Sequence, residues 1–230
     1  MNVLDHYNFE SEYYDKLYGD FKDDVYTIKS ISPRGKILEI FCGTGRIISS
    51  FGGGIGVDNN INMLLNGKNN YIKVLGDVFH LPFKPIFNFV IIGLNSLLLF
   101  KNEEKRAIIS EVNKVTASKA RIFIDILNGF SLEEREYTIS AYREKEQSLR
   151  LTVFPERLKD SYILHYKYVI KDPITNVQRR DLIIYPLNLK EITEILDENG
   201  FEIKAKWGDY DLSPYNEKSD KIIIEAIKKD

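Results

Sequence analysis

Lys36-Ile37-Leu38-Glu39-Ile40-Phe41-Cys42-Gly43-Thr44-Gly45-Arg46 runs from an apolar segment into two glycines separated by one residue. Lys36 to Phe41 reads as a short strand buried on both faces, the kind that parallel sheets contain. Gly43 and Gly45 open a cluster that continues with Gly52, Gly53, Gly54 and Gly56. A chain that turns sharply from strand to helix, or that lets a ligand close to its backbone, needs positions without a Cβ. Arg46 to Phe51 leaves room for only a brief helix before the triple glycine. Ile55-Gly56-Val57-Asp58 then reads as a second strand closing on an acid. Strand, glycine turn, helix and strand ending in a carboxylate is the opening of a nucleotide-binding α/β unit.

A glycine pair alone also suits a plain tight turn. Two carboxylates argue for a ligand, Glu39 inside the first strand and Asp58 at the end of the second. A carboxylate at the second place can accept both hydrogen bonds of a ribose diol. A nicotinamide dinucleotide fits less well, because its third fingerprint glycine would fall at Ile48. Glu39 would also repel a pyrophosphate held on a helix amino end. The same acid suits a ligand bearing an ammonium and a sulfonium, which favours S-adenosylmethionine.

These residues resemble a known family. Glu39 to Arg46 resembles the first motif of the class I S-adenosylmethionine-dependent methyltransferases. Gly56-Val57-Asp58, followed by Asn59 to Leu65 with Met63, resembles the second-strand acid and the helix after it. Gly76-Asp77-Val78 resembles the third-strand segment, whose Asp commonly binds the adenine amino group. Phe87 to Ile92, followed by Gly93-Leu94-Asn95-Ser96, resembles the fourth strand and the loop at its tip.

The resemblance implies an α/β fold, a doubly wound seven-stranded Rossmann-like sheet with its last strand antiparallel. It implies S-adenosyl-L-methionine as cofactor and S-adenosyl-L-homocysteine as product. It places cofactor contacts at Glu39, Cys42, Gly43 and Gly45, at Asp58, Asn59 and Met63, and at Asp77, Val78, Leu94 and Asn95. Tyr14-Asp15-Lys16-Leu17-Tyr18 resembles the amino-terminal stretch that closes over the cofactor in small-molecule methyltransferases, which adds Tyr18 and then Tyr14. Core packing is the alternative for both tyrosines. Three departures stand out: Phe41 where a small residue is usual, a shortened helix after the glycine turn, and Ala117-Ser118-Lys119-Ala120 in place of a Pro-Gly-Gly turn.

Further out, the rhythm changes. Asn102 to Thr116 has helical spacing and leads to a fifth strand, Arg121 to Leu127. Residues 131–187 then read as an antiparallel β insertion serving as lid, dimer contact or substrate element. Its strands are Leu149 to Phe154, Tyr162 to Lys171 and Val177 to Tyr185, with a turn over Asp172 to Asn176. Asn188 with Glu191 marks a capped helix ending at Gly200. Phe201 to Trp207 and Lys221 to Ile227 complete the sheet. The expected division is 1–130 for the amino-terminal helices and cofactor-binding half, 131–187 for the insertion, and 188–230 for the closing elements.

The 230 residues are 43% hydrophobic and 29% charged, the balance of a globular chain with a core. A net charge of −2 argues against binding nucleic acid or membrane by bulk charge, though a local basic patch keeps nucleic acid open as a partner. One cysteine excludes an intramolecular disulfide and a multi-cysteine zinc site, and no metal is expected. Met1 to His6 lacks a signal-peptide layout and no apolar run reaches membrane-span length, so a cytoplasmic protein is expected.

Methyl transfer is an in-line displacement at carbon, in which orientation dominates. A base is needed only when the acceptor must lose a proton. The candidates are His165 on the inserted sheet, and Tyr210 or Asp209 in the loop after the sixth strand; His6 and His80 are weaker. The Asn/Asp-Pro-Pro-aromatic signature of enzymes that methylate planar amino nitrogens is absent. The expectation is transfer to an N or O atom of a small molecule, with a homodimer through the insertion. An RNA or protein methyltransferase and a non-catalytic cofactor-binding domain are the alternatives.

Overall fold

Phe87-Asn88-Phe89-Val90-Ile91-Ile92 has almost no polar side chain, so it is stable only with both faces covered, and it forms the middle of a sheet. The computed structural model describes residues 3–129 and 132–230. The expected boundary at 130/131 and the terminal Met1-Asn2 lie outside the described residues. Three short helices come first: α1 (Val3–Glu10), α2 (Tyr14–Tyr18) and α3 (Asp23–Ser30). Then follow β1 (Ile37–Ile40), β2 (Ile55–Asp58), α4 (Ile61–Asn66), β3 (Ile72–Leu75), β4 (Phe87–Ile92), α5 (Asn102–Val115) and β5 (Thr116–Leu127). A second group holds β6 (Tyr137–Glu144), β7 (Gln147–Arg157), β8 (Tyr162–Asp172) and β9 (Ile174–Ile184). The chain ends with α6 (Leu189–Glu198), β10 (Phe201–Trp207) and β11 (Lys221–Lys228).

The main sheet has the order β10-β11-β5-β4-β1-β2-β3. Its strands are parallel except β11, which runs antiparallel to both β5 and β10. The winding reverses between β1 and β4, and at such a reversal the loops leaving the two strands diverge and open a crevice. The four residues Leu38, Ile40, Val90 and Phe89 are completely buried at this centre. Val25 and Ile28 of α3 cover one face through Phe89, Ile91 and Phe123. On the other, α5 and α6 contribute Ile108, Val112, Ile192 and Ile195. The α6 boundaries follow the local signals. Asn188 and Glu191 cap each other at 2.9 and 2.8 Å, and Gly200 takes φ +78° just past the end.

The second sheet is antiparallel in the order β6-β7-β8-β9. It has one strand more than the alternation in the sequence indicated. The additional one, β6, reads Tyr-Thr-Ile-Ser-Ala-Tyr-Arg-Glu and is mostly exposed, so its apolar periodicity is weak. The turn between β8 and β9 is also tighter than expected: Asp172 already pairs with Ile174 across Pro173. One face of this sheet is apolar. Val153, Leu164, Leu182 and Ile184 join the main core beside Leu97 and Leu98, and the Tyr185 amide donates to the Leu98 carbonyl at 2.7 Å. The inserted sheet therefore sits over the carboxyl edge of the parallel strands.

Two departures anticipated in the sequence take definite form. After the glycine turn there is only one turn of 3-10 helix, Ile48–Phe51, stopped by Gly52 at φ +73°. Strand β5 starts at Thr116, five residues early, because Ala117 to Ala120 form a bulge with Lys119 at φ +56° and pairing resumes at Arg121 opposite Phe89. No described helix is long and apolar enough to cross a membrane.

Candidate active site

The glycine turn after β1 divides its labour. Gly43 takes φ +54°, and a Cβ there would meet only the Met63 Sδ at 3.9 Å, so its outer side faces open space. Gly45 takes φ +73°, but a Cβ there would lie 2.1 Å from the Tyr71 ring. A Cβ at Gly56 would lie 2.7 Å from both the same ring and the Cys42 Sγ, and one at Gly67 would lie 2.6 Å from the Thr44 carbonyl oxygen and 2.9 Å from the Tyr71 hydroxyl. Gly43 thus keeps an open side, and Gly45 makes room for a tyrosine. Phe41 precedes them at φ +58°, a conformation unusual for a bulky side chain, with its ring against Phe100 at 5.4 Å.

Two acids flank this turn. Asp58 accepts from the Gly43 amide at 2.8 Å through one oxygen and from the Asn60 amide at 2.9 Å through the other. Each oxygen keeps capacity for one more donor, the arrangement a vicinal diol requires. Glu39 is 3% exposed and accepts from the Ile48 amide at 2.8 Å. Burial pushes its carboxyl up to about 8, and the Ile48 hydrogen bond pulls the other way. Arg46, which borders the same space, is clamped on Asp24 and on the Phe21 carbonyl at 2.7 Å. A cationic ligand group is therefore what would let Glu39 ionise.

These residues border a cavity of about 680 Å³ between the carboxyl edge of the main sheet and the apolar face of the inserted one. Of the residues expected at a cofactor, Tyr14, Tyr18, Glu39, Cys42 and Gly43 border it, and so do Asp58, Asn59, Met63, Leu94 and Asn95. Gly45, Asp77 and Val78 do not. Gly45 is covered by Tyr71, and Val78 is 5% exposed within the main core. Asp77 turns outward, accepting from the Phe79 amide at 3.0 Å with His80 3.6 Å away. His80 is itself exposed to solvent.

The acceptor-side candidates fall elsewhere. His165 lies on the outer face of the inserted sheet, because alternation along β8 sends Leu164 and Tyr166 inward and residue 165 outward. There it lies 2.8 Å from both Glu156 and Asp181, which hold its pKa above the ordinary histidine value. Asp209 is exposed and accepts from the Tyr210 amide at 2.7 Å. Tyr210 does not border the cavity; its hydroxyl donates to Asp125. Asp125 is fully buried, and it also accepts from the Leu94 amide at 3.2 Å and faces Lys221 at 3.5 Å. Leu94 and Asn95 stand at φ +50° and +64°, so this carboxylate fixes the strained tip of β4. Tyr210 bears on the cavity through that tip.

Sequence reasoning gave little weight to the wall contributed by α1. His6 and Glu10, one turn apart, are 1% and 2% exposed and both border the cavity. Tyr18, expected over the cofactor, donates to Glu10 at 3.2 Å. The i, i+4 spacing of His6 and Glu10 was the available signal. It acquires meaning only once α1 is known to pack on Tyr166 and Tyr168 of β8.

No protein-family model matches the chain. An uncharacterized protein of Methanocaldococcus jannaschii is 32% identical over 179 residues, covering 74% of this chain and 78% of its own length. The chain belongs to the same family as that archaeal protein. Among solved structures, this family's fold is matched by an S-adenosylmethionine-dependent methyltransferase from Clostridium acetobutylicum, with a TM-score of 0.81 over 98% of this chain and all of the other, at 16% identity. A sugar N-methyltransferase from a Streptoalloteichus species gives 0.76 over 92% and 89%, at 13% identity. An amino pentose methyltransferase from Micromonospora echinaspora gives 0.74 over 92% and 91%, also at 13% identity. The family thus has the fold of the S-adenosylmethionine-dependent methyltransferases.

Proposed function

We propose that the chain transfers a methyl group from S-adenosyl-L-methionine to an N or O atom of a small molecule. The observation that carries this is one cavity with two unlike ends. One end holds Glu39, Gly43 and Asp58; the other is walled by Val153, Leu164, Leu182 and Ile184 of the inserted sheet. A space of about 680 Å³ is in the range of small-ligand sites.

The residues at the first end fit the cofactor. Asp58 offers two oxygens to the ribose hydroxyls, Gly43 leaves backbone room, and Glu39 faces positive charge. Asn59, Met63, Tyr14 and Tyr18 border the same space. When bound, the cofactor supplies a methyl group made electrophilic by its positive sulfur. The protein then has to hold the acceptor in line with it, and orientation of this kind is worth roughly 7–11 kcal/mol. The inserted sheet excludes water from that end, which supports reading 131–187 as the acceptor-side element and the flanking segments as one cofactor-binding domain. The two sugar-directed fold neighbours support a small-molecule acceptor. Exposed Phe154, Val177 and Ile183 support a homodimer through the insertion.

Thermal shift with S-adenosylmethionine, S-adenosylhomocysteine and NAD tests the cofactor, and transfer of labelled methyl to fractionated cell extract tests the acceptor. Stabilisation by both adenosyl ligands and label in small metabolites are expected. Stabilisation by NAD alone sinks the reading, and label in RNA or protein replaces it with macromolecular methylation.

A further inference from the structure

Glu10 is a carboxylate with almost no solvent contact, yet it borders the cavity. The elements around it supply hydrogen bonds but no full ion pair. One oxygen accepts from the Tyr168 hydroxyl at 2.9 Å and from the Tyr18 hydroxyl at 3.2 Å. The other lies 3.8 Å from His6 Nε2, beyond hydrogen-bond length. His6 is buried with its Nδ1 unpartnered, and its ring meets Tyr166 edge-on at 4.8 Å and Tyr7 at 5.0 Å. Burial and the nearby charge of Arg180 push its pKa down to about 4, so at neutral pH His6 is uncharged and does not neutralise Glu10.

Tyrosine faces surround this acid. Tyr7, Tyr14, Tyr18 and Tyr166 all border the cavity. Tyr14 feels the charges of both Glu10 and Glu39, and Tyr7 those of Glu10 and Asp58, so these rings stand between the two ends of the space. The described arginines at the cavity are engaged: Arg46 on Asp24, and Arg135 over the Tyr137 ring beside Glu133. The chamber beyond is aliphatic. A buried acid, π-faces around it and an apolar wall describe a receptor for a cation on an apolar body.

We propose that Glu10, with His6 and Tyr166 beside it, is an acceptor-side ammonium site, and that the substrates are amines carried on a compact apolar skeleton. This rests on the methyltransferase reading above. Glu10 binds the protonated amine and takes one proton from it. The freed nitrogen lone pair forms the new N–C bond while the S–C bond breaks and leaves its electrons on sulfur. The proton passes from Glu10 to solvent on product release. Burial holds the Glu10 carboxyl up to about 7 against the pull of its two tyrosine donors, a value suited to taking and returning a proton.

The test uses the full chain saturated with S-adenosylhomocysteine and titrated with benzylamine and 2-phenylethylamine, against benzyl alcohol and 2-phenylethanol, followed by ligand-observed NMR. The amines are expected to bind at least tenfold more tightly than the alcohols. Glu10→Gln is expected to erase that preference while S-adenosylhomocysteine affinity stays within twofold. Alcohols that match the amines, amines that do not bind, or a preference that survives Glu10→Gln would each overturn the proposal. If Glu10→Gln fails to fold, Tyr168→Phe keeps the acid but removes its nearer donor. With His6, Tyr18, Tyr166 and Arg180 unchanged around Glu10, amine binding should weaken at pH 7 and recover at pH 8.5; a loss independent of pH overturns the proposal. Failure of the wild-type chain to bind S-adenosylhomocysteine would appear before any amine is added, and would sink the underlying reading instead.

Discussion

The two ends of the cavity are built by opposite means. The end proposed for the cofactor is made mostly of backbone: the glycine turn after β1, the acid closing β2 and the tip of β4 hold their shapes through hydrogen bonds to main-chain amides. The end proposed for the acceptor is made of side chains brought from far apart, His6 and Glu10 from α1, Tyr18 from α2, and Tyr166 and Tyr168 from β8. A backbone site tolerates few changes because its geometry is the fold's geometry. A side-chain site can be rebuilt one residue at a time. On the proposed assignment, this contrast would let one cofactor platform serve many acceptors.

Four variants would break or sharpen the contrast. Asp58→Ala should have the largest effect, because it removes the diol acceptor and also frees the Gly43 and Asn60 amides. S-adenosylhomocysteine affinity measured by calorimetry should fall at least a hundredfold, about 2.7 kcal/mol. An unchanged affinity would remove the ribose assignment and with it the idea of a backbone-built end.

Glu39→Gln should move binding and stability in opposite directions. The folded-state pKa of about 8 lies above the ordinary glutamate value of 4.5. Below the lower value both states are protonated. As pH rises toward 8 the unfolded chain releases a proton that the folded chain retains, so stability drains away across that window. Gln abolishes this loss and can still accept from Ile48. Urea denaturation at pH 8 should show the cofactor-free variant more stable by on the order of 3 kcal/mol, and no different at pH 4. Cofactor affinity should fall about tenfold. A variant that is less stable at pH 8 would show that Glu39 is already paired.

Tyr210→Phe tests the intermediate case, a residue outside the cavity that steadies its edge. Loss of a donor to buried Asp125 should cost about 1–3 kcal/mol in denaturant unfolding. It should weaken acceptor and cofactor alike, because both meet the β4 tip. A selective change in acceptor KM would instead place Tyr210 in the acceptor site. His165→Gln should do least: stability within about 0.5 kcal/mol, and methyl transfer as in the wild type. A large loss of turnover there would mean that the outer face of the inserted sheet takes part.

How far the sequence could be read follows the same division. Glu39, Gly43 and Asp58 were legible because strand, turn and acid are neighbours in the chain, so local rules place them together in space. The seven-stranded sheet with its antiparallel last strand was legible only through the family resemblance, because pairing between distant strands is not a local property. Asp77 and Gly45 show the limit, since motif position does not say which way a side chain turns or what fills the space beside a glycine. His165 stood only as a weak candidate, because strand alternation gives two faces without naming the inner one. The burial of Glu10 at the cavity was not legible because it depends on Tyr168, 158 residues away. No periodicity within α1 could reveal a partner at that distance.

The Tyr71 ring has an evolutionary consequence. It fills the volume that a side chain at position 45 would otherwise occupy, and it shares those at positions 56 and 67 with Cys42 and the Thr44 backbone. Positions 45 and 71 are therefore inherited as a pair. A relative that gains alanine at position 45 must first trade the tyrosine for something smaller. One that keeps the tyrosine is barred from changing that glycine, even if it no longer uses the cofactor. In alignments of the wider family, part of the glycine signature will thus track the presence of an aromatic ring at position 71 and not the capacity to bind a nucleoside. A degenerate member could retain most of the signature long after its chemistry is gone.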